Sequence, residues 1–448
     1  MPRDCRGLTV TCSSQAAAEA FDHAVAGYLT YRLDTAARLK ACLELDPDFC
    51  LAHVLRGYLT LAAFNLALVP VAREALSQAK RTAATTTTRE QAHVAALEAW
   101  VDGRLDELLA RWEAIVADDP TDVVAFRLHH FNAFWLGRAE QMLSTVETAL
   151  PQWELGLAGR GAVLACRAFA NEECGNYTVA ENSGREAIAL DPADIWATHA
   201  VAHVLEMQGR RSEGILMLRE LEPHWQGGNN LKHHLWWHRG LYHLEREEFG
   251  EVLDLYDQGF RNLASPIVAA QPDLYIDVQN AASMLFRLEL QGVDVGDRWV
   301  ELADKAEGRI GDCLNTFTLP HWMMALVRTG RFQAADAFLA GLKAAAAGSD
   351  TVAGLVRRYA LPISAAVLAH GRGRFQEAVD LMRPALGGMY RLGGSHAQQD
   401  VLEQLFTDAA VKAGAMSDVR LMMERIAGRY PLPPEKRIGY RHAASLTA

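Results

Sequence analysis

The sequence predicts an all-α fold, a curved superhelical solenoid of helix pairs that takes in residues 1–448 as a single domain. Three observations predict it. Apolar residues, mostly alanine and leucine, recur at spacings of three and four, the period that lines one face of an α-helix. Strand patterns are nearly absent. Gly-Arg steps punctuate the helical pattern at Gly103-Arg104, Gly137-Arg138, Gly209-Arg210, Gly330-Arg331 and Gly373-Arg374. A glycine in that place ends a helix because it enters the left-handed cap conformation at little cost. The residues after it then open the next helix.

Taken in order, the chain starts with a weak copy of the helix-pair unit at Leu33 to Pro47. Ala83 to Arg89 reads AATTTTR, a turn or helix start with a threonine as N-cap. A fuller copy runs from Ala96 through Gly103 and Trp112 to Pro120. The clearest spans Ala168 to Pro192, with Gly175, Tyr177, Ala180 and Ala187 between. Its order of small residue, turn glycine, aromatic, alanine, alanine and proline is the tetratricopeptide spacing. Ala168 and Ala180 must be small for their helices to touch, and the Asp191-Pro192 step ends the second helix. Leu221 to Lys232, with Pro223, Gly227 and Gly228, reads as an exposed loop. Later copies lie at Gly330 to Leu342 and around Ala366, Gly373, Phe375, Ala378 and Ala385. Ser395 and Gln398 form a capping box for the helix after them. The array is therefore degenerate, about 16–430, followed by a tail at 431–448 that is extended or folded back as a cap.

Composition narrows the function classes. The net charge of −11 argues against a nucleic-acid partner, which needs a basic surface. No run of about 18 uninterrupted apolar residues is present, so no membrane-spanning helix is expected. The seven cysteines include no C-x-x-C pair and fit reduced thiols in a cytoplasm. Cys42, Cys50, Cys166, Cys174 and Cys313 are expected in the core.

Chemistry-bearing residues concentrate between Trp196 and Glu245. On a helix, Trp196, His199, His203 and Glu206 share one stripe, and His234, His238 and Glu245 repeat the arrangement after one intervening helix. If the two helices are neighbours, two His-His-Glu faces meet across a groove. Two imidazoles and a carboxylate on one face suit a metal such as zinc, which takes three such ligands and an open position. The metal set would be His199, His203, Glu206, His234 and His238. This is not the H-E-x-x-H pattern of metalloproteases. The other reading is a set of buried groups hydrogen-bonded to one another across packed helices. Gly227 and Gly228 precede a helix start that could take a carboxylate or phosphate. Arg357 and Arg358 read first as a solvated basic step, and otherwise as a pair for acidic neighbours or a ligand carboxylate. His129 and His130 read as one core and one exposed residue. No nucleophile elbow, Walker or dinucleotide fingerprint is present.

The segments WATHAVAHVLEMQG (196–209), HLWWHRGLYHLE (234–245), ASMLFRLELQGVDVGDRW (282–299) and GGSHAQQDVLEQL (393–405) resemble the tetratricopeptide repeat protein 38 family. The likeness extends from about Phe21 to Ile426 and is thinnest before Ala165. It implies a helical repeat fold, a cytoplasmic setting and no established reaction. It also implies that His199, His203, Glu206, His234, His238, Asp277 and His321 hold family-typical positions. Asn280 stands where an acidic residue is frequent, and His396 where asparagine also occurs.

The function expected is binding of a small molecule or peptide in the concave groove, with Trp196, His234, Trp237, Asp277 and His321 contacting it. The alternative is an enzyme, a hydrolase or other acid/base catalyst on a small organic molecule. His199, His203, Glu206 and His238 would be its catalytic groups, with a divalent metal as the one cofactor indicated. No nucleic acid and no membrane are expected as partners. Self-association into a homo-oligomer stays open.

Overall fold

The computed structural model of the chain describes residues 1–447 and is all-α. Among the described residues, β pairing amounts to the isolated bridges Arg3–Thr9 and Arg32–Gly228. The chain divides into two compact units, Met1–Val201 with Leu221–Leu231, and Ala202–Glu220 with Lys232 onward.

The first unit holds α1 (Gln15–Leu29), α2 (Thr35–Leu45), α3 (Cys50–Leu61), α4 (Val69–Thr82), α5 (Thr88–Val101), α6 (Leu105–Asp118), α7 (Val123–Trp135), α8 (Ala139–Ala149), α9 (Arg160–Glu173) and α10 (Tyr177–Leu190). Next, α11 (Ile195–Met207) starts in the first unit and ends in the second. The second unit takes almost all of α12 (Arg211–Leu221) and α13 (Leu231–Glu245). It continues with α14 (Phe249–Leu255), α15 (Pro266–Ala270), α16 (Tyr275–Leu290), α17 (Arg298–Gly308), α18 (Thr318–Arg328), α19 (Phe332–Ala346), α20 (Thr351–Leu355), α21 (Leu361–Gly371), α22 (Phe375–Met382), α23 (His396–Ala413), α24 (Met416–Arg429) and α25 (Arg441–Ser445).

Sequential helices pack as pairs: α1 on α2, α3 on α4, α5 on α6 and α9 on α10, then α17 on α18 and α21 on α22. Alternate helices also touch, as α3 on α5 and α16 on α18 do. The local cause is the turn chemistry. Gly103, Gly137, Gly209, Gly330 and Gly373 all have φ between 63° and 73°. The following arginine N–H then reaches back five residues, as Arg104 does to Ala99 (2.8 Å) and Arg210 to Leu205 (2.8 Å). That bond satisfies a carbonyl the helix end leaves open. At the other kind of corner, Asp119 closes α6 and Asp122 caps α7 through the Ala125 N–H (2.9 Å). Asp191 and Asp194 repeat this between α10 and α11. Thr87 with Glu90, and Ser395 with Gln398, form the capping boxes of α5 and α23.

Ala168 and Ala180 are both fully buried between α9 and α10. The tightest approach there belongs to Gly184, where a Cβ would lie 2.5 Å from Val201 Cγ2 and 3.4 Å from Ala168 Cβ.

Four local expectations change. The 221–232 stretch is not a free loop: the Leu33 N–H donates to Gly227 O (3.0 Å) and the Asn229 N–H to Tyr31 O (2.7 Å). A Cβ at Gly227 would strike Arg32 Nη2 at 2.2 Å, so that glycine serves packing. His129 and His130 are both buried, because α7 is covered on nearly all sides. Cys174 and Cys313 are half-buried rather than core. Finally, the continuous helix Thr351–Gly371 is long and apolar enough by composition to cross a membrane; half of its most apolar window is buried, and α21 packs on α18, α19 and α22.

The tail folds back within the second unit. A Cβ at Gly209 would meet Leu432 Cδ1 at 1.9 Å, so only glycine admits that leucine. Arg437 and Tyr440 then reach the buried carboxylate of Asp400 (2.9 and 2.7 Å).

Candidate metal centre

The site is built where α13 lies against the end of α11. Tyr242 of α13 donates its hydroxyl to Ala202 O of α11 (2.6 Å), and it fits under α12 because Gly214 has no side chain: a Cβ there would lie 2.5 Å from the Tyr242 ring. This fixes the rotation of α13, and His234 and His238, one turn apart, face the His203 turn of α11. Ring centroids of His203 and His238 are 4.4 Å apart, and those of His234 and His238 4.8 Å. His203, His234 and His238 are at most 2% exposed. Their potential ligand nitrogens lie within 4.8 Å of one another. His199, one helical turn before His203 on α11 and also buried, brings the cluster to four imidazoles.

Groups behind the rings orient them. His238 Nδ1 is 2.7 Å from Glu206 Oε2. His234 Nδ1 donates to Asn280 Oδ1 of α16 (2.8 Å), which makes Nε2 the acceptor nitrogen of the ring. Trp237 stacks on His234 at 4.9 Å and 12°, and the Arg287 guanidinium lies 5.9 Å from the Trp237 ring.

Burial sets the charge states. It pushes His238 down to about 3 and holds His203 and His234 well below the usual imidazole range, with the neighbouring rings adding to the effect. All three are neutral at pH 7, the form that ligates metals. Burial also pushes the Glu206 carboxyl up to about 8; Arg287 opposes the rise and Asp400 adds to it. The 18% of the Glu206 side chain that meets solvent works against that rise.

Solvent reaches Glu206 through a small cavity of about 30 Å³, lined among others by Arg211, Glu245, Tyr430 and Arg437. That is room for a water molecule or two. Around it the charges are paired: Arg211 with Glu245 (2.6 Å), and Asp400 with Arg437 (2.9 Å) and Arg287 (3.4 Å). Burial alone would raise the Asp400 carboxyl, but the two guanidiniums with Tyr440 and Gln404 outweigh it and hold it low.

The structure thus brings together His203, Glu206, His234, His238 and Trp237, with His199 one turn away. It places other candidates elsewhere. Trp196 is buried in an aromatic group of the first unit, stacked on His199 (4.6 Å) and against Phe169 (4.8 Å). Asp277 pairs with His233, not His234 (3.3 Å). His321 donates Nδ1–H to Phe317 O within its own turn (2.9 Å). Glu245 turns to Arg211 and the Ile438 N–H. Arg357 donates to Ala346 O (2.7 Å), bound to backbone rather than to an acid.

Sequence reasoning missed Asn280 as the partner of His234, and it missed Arg287, Asp400 and Arg437. His396, held at about 3 mainly by burial, lies close enough to His203 to depress it electrostatically. The signal for Asn280 is its helix position, one turn from Asp277 on α16.

Fold and site together define an all-α protein of paired helices carrying a buried cluster of four histidines. No protein-family model matches the chain.

Proposed function

We propose that the protein is a tetratricopeptide-like solenoid of the tetratricopeptide repeat protein 38 type that holds a divalent transition metal at His203, His234 and His238, with His199 as the fourth donor. One observation carries the reading: potential ligand nitrogens of four buried imidazoles gathered within 4.8 Å. Four imidazoles without a thiolate suit zinc, copper or nickel better than calcium or magnesium, which prefer oxygen. Asn280 and Glu206 take the part of the outer hydrogen-bond partners that fix the tautomers of ligating histidines. Burial favours a small ligand over a peptide, since a peptide would have to reach side chains at most 3% exposed.

A second reading keeps the enzyme alternative, because a cavity of about 30 Å³, room for a water-sized molecule, lies beside Glu206. There His203, His234 and His238 would hold the metal, which would supply Lewis-acid activation of a small molecule, and Glu206, its carboxyl pushed up by burial, would be the proton donor beside the cavity. A soluble setting without nucleic acid remains part of the proposal.

The test is equilibrium dialysis of chelator-stripped protein against zinc. One zinc per chain should be retained, and His203→Ala and His238→Ala should each lose it while keeping the wild-type helical circular dichroism. A stripped wild-type chain that retains no zinc overturns the proposal.

A further inference from the structure

In the first unit, beside the Trp196 ring that stacks on His199, a positive charge is buried that forms no ion pair among the described residues. Arg127 of α7 is 2% exposed, and its guanidinium makes one hydrogen bond, from Nη2 to Tyr31 Oη. Its Nη1 has no hydrogen-bond partner, and among the described residues no carboxylate forms an ion pair with it. Asp194, buried at the start of α11, acts on the guanidinium electrostatically but makes no ion pair or hydrogen bond with it; its carboxylate accepts the Ala197 N–H (2.9 Å). A buried charge of this kind is costly unless something compensates it.

What surrounds the guanidinium is aromatic. It lies 4.7 Å from the Trp196 ring and 5.4 Å from that of Tyr31. His130, one turn on along α7 and 1% exposed, sits edge-on to Trp196 (6.1 Å) and Phe169 (6.0 Å), and neither of its ring nitrogens has a hydrogen-bond partner. The cation–π contacts hold the guanidinium flat but do not neutralise it.

A third observation is independent of both. Tyr31 has φ of 54°, a left-handed conformation that a bulky aromatic residue adopts only at a cost. The surrounding chain enforces it: Tyr31 N–H bonds to Tyr28 O (3.2 Å) and Tyr31 O accepts from Asn229 (2.7 Å). The strained residue is the one whose hydroxyl holds Arg127.

We propose that Arg127 and His130 form a binding site for the carboxylate group of a small molecule, walled by Tyr31, Trp196 and Phe169. Arg127 Nη1–H and a His130 ring N–H donate to the two oxygens, and the apolar body of the ligand lies against the rings. One guanidinium and one neutral imidazole match a single negative charge; a phosphate dianion would want more positive charge than this. Burial and Arg127 keep His130 neutral, so it donates without adding charge.

The experiment is isothermal titration of the full chain with sodium benzoate and sodium acetate, with inorganic phosphate as a separate arm. Wild type should bind benzoate saturably and acetate more weakly. Arg127→Met keeps the stem and deletes the charge, and should weaken benzoate by about a hundredfold or abolish it. His130→Phe keeps the ring packing and should weaken it by about tenfold; this variant decides the matter if Arg127→Met does not fold. The site is overturned if wild type binds neither carboxylate, if it binds phosphate alone, or if both folded variants bind benzoate as wild type does.

Discussion

Glu206 and His238 show most clearly how single residues give the site its character. Alone, a buried glutamate would be a liability; beside His238 Nδ1 at 2.7 Å it fixes which ring nitrogen faces the cluster. Replacing it by glutamine keeps the size and a hydrogen-bonding oxygen but removes the carboxylate. Glu206→Gln should weaken zinc binding by about 10–100-fold with little change in stability, measured by competition against a chromophoric chelator. Unchanged affinity would reduce Glu206 to a packing residue. The His-His-Glu stripe was legible from spacings of three and four because helix geometry alone puts those residues on one face. That Glu206 serves His238 rather than a metal was not legible, and neither was Asn280 behind His234. Both depend on helices meeting at one rotation, which Tyr242 and Gly214 set through packing.

Helices and their corners were read more fully. The Gly-Arg turns and capping boxes are local chemistry, and each recurs where its residues placed it. Asp122, at the corner of α6 and α7, does more than cap. It also pairs with His93 Nε2 (3.0 Å) and Arg89, drawing α5 into the same corner. Burial would raise its carboxyl, but His93 and Arg89 outweigh that and hold it well below the usual range. The sign follows from linkage: a carboxyl lower in the folded state stabilises above its unfolded value, near pH 4, and that stability is lost as pH falls below it. Asp122→Asn should therefore cost stability at about pH 7 and flatten the acid limb below about pH 4. Urea melts across that range check it; parallel curves for variant and wild type would contradict the assignment. The π-turns at Tyr256–Phe260 and Val356–Ala360 had no signal in the apolar period, since an extra residue in a turn leaves the composition helical.

At the scale of the molecule, the all-α class and the sequential pairing were legible, while the closure of the second unit was not. There α23 returns to pack on α16, far away in sequence, and the tail reaches Asp400 beside it. No periodicity encodes such a contact; it rests on Arg287, Arg437 and Tyr440 converging on one buried carboxylate. Arg437→Met should destabilise the protein by about 3 kcal/mol, the low end for a broken buried pair because Arg287 remains. A loss below about 0.5 kcal/mol in urea unfolding would mean that the tail is a passive appendage.

Whether the buried histidines hold a metal is reported most directly by cobalt(II). Titrated into chelator-stripped protein, it should give the visible absorption of a nitrogen-ligated, low-coordinate site. The signal should saturate at one ion per chain, vanish in His203→Ala and be displaced by zinc. A wild-type titration that shows only the weak spectrum of the hydrated ion would contradict the account and leave the four histidines as core hydrogen-bonders.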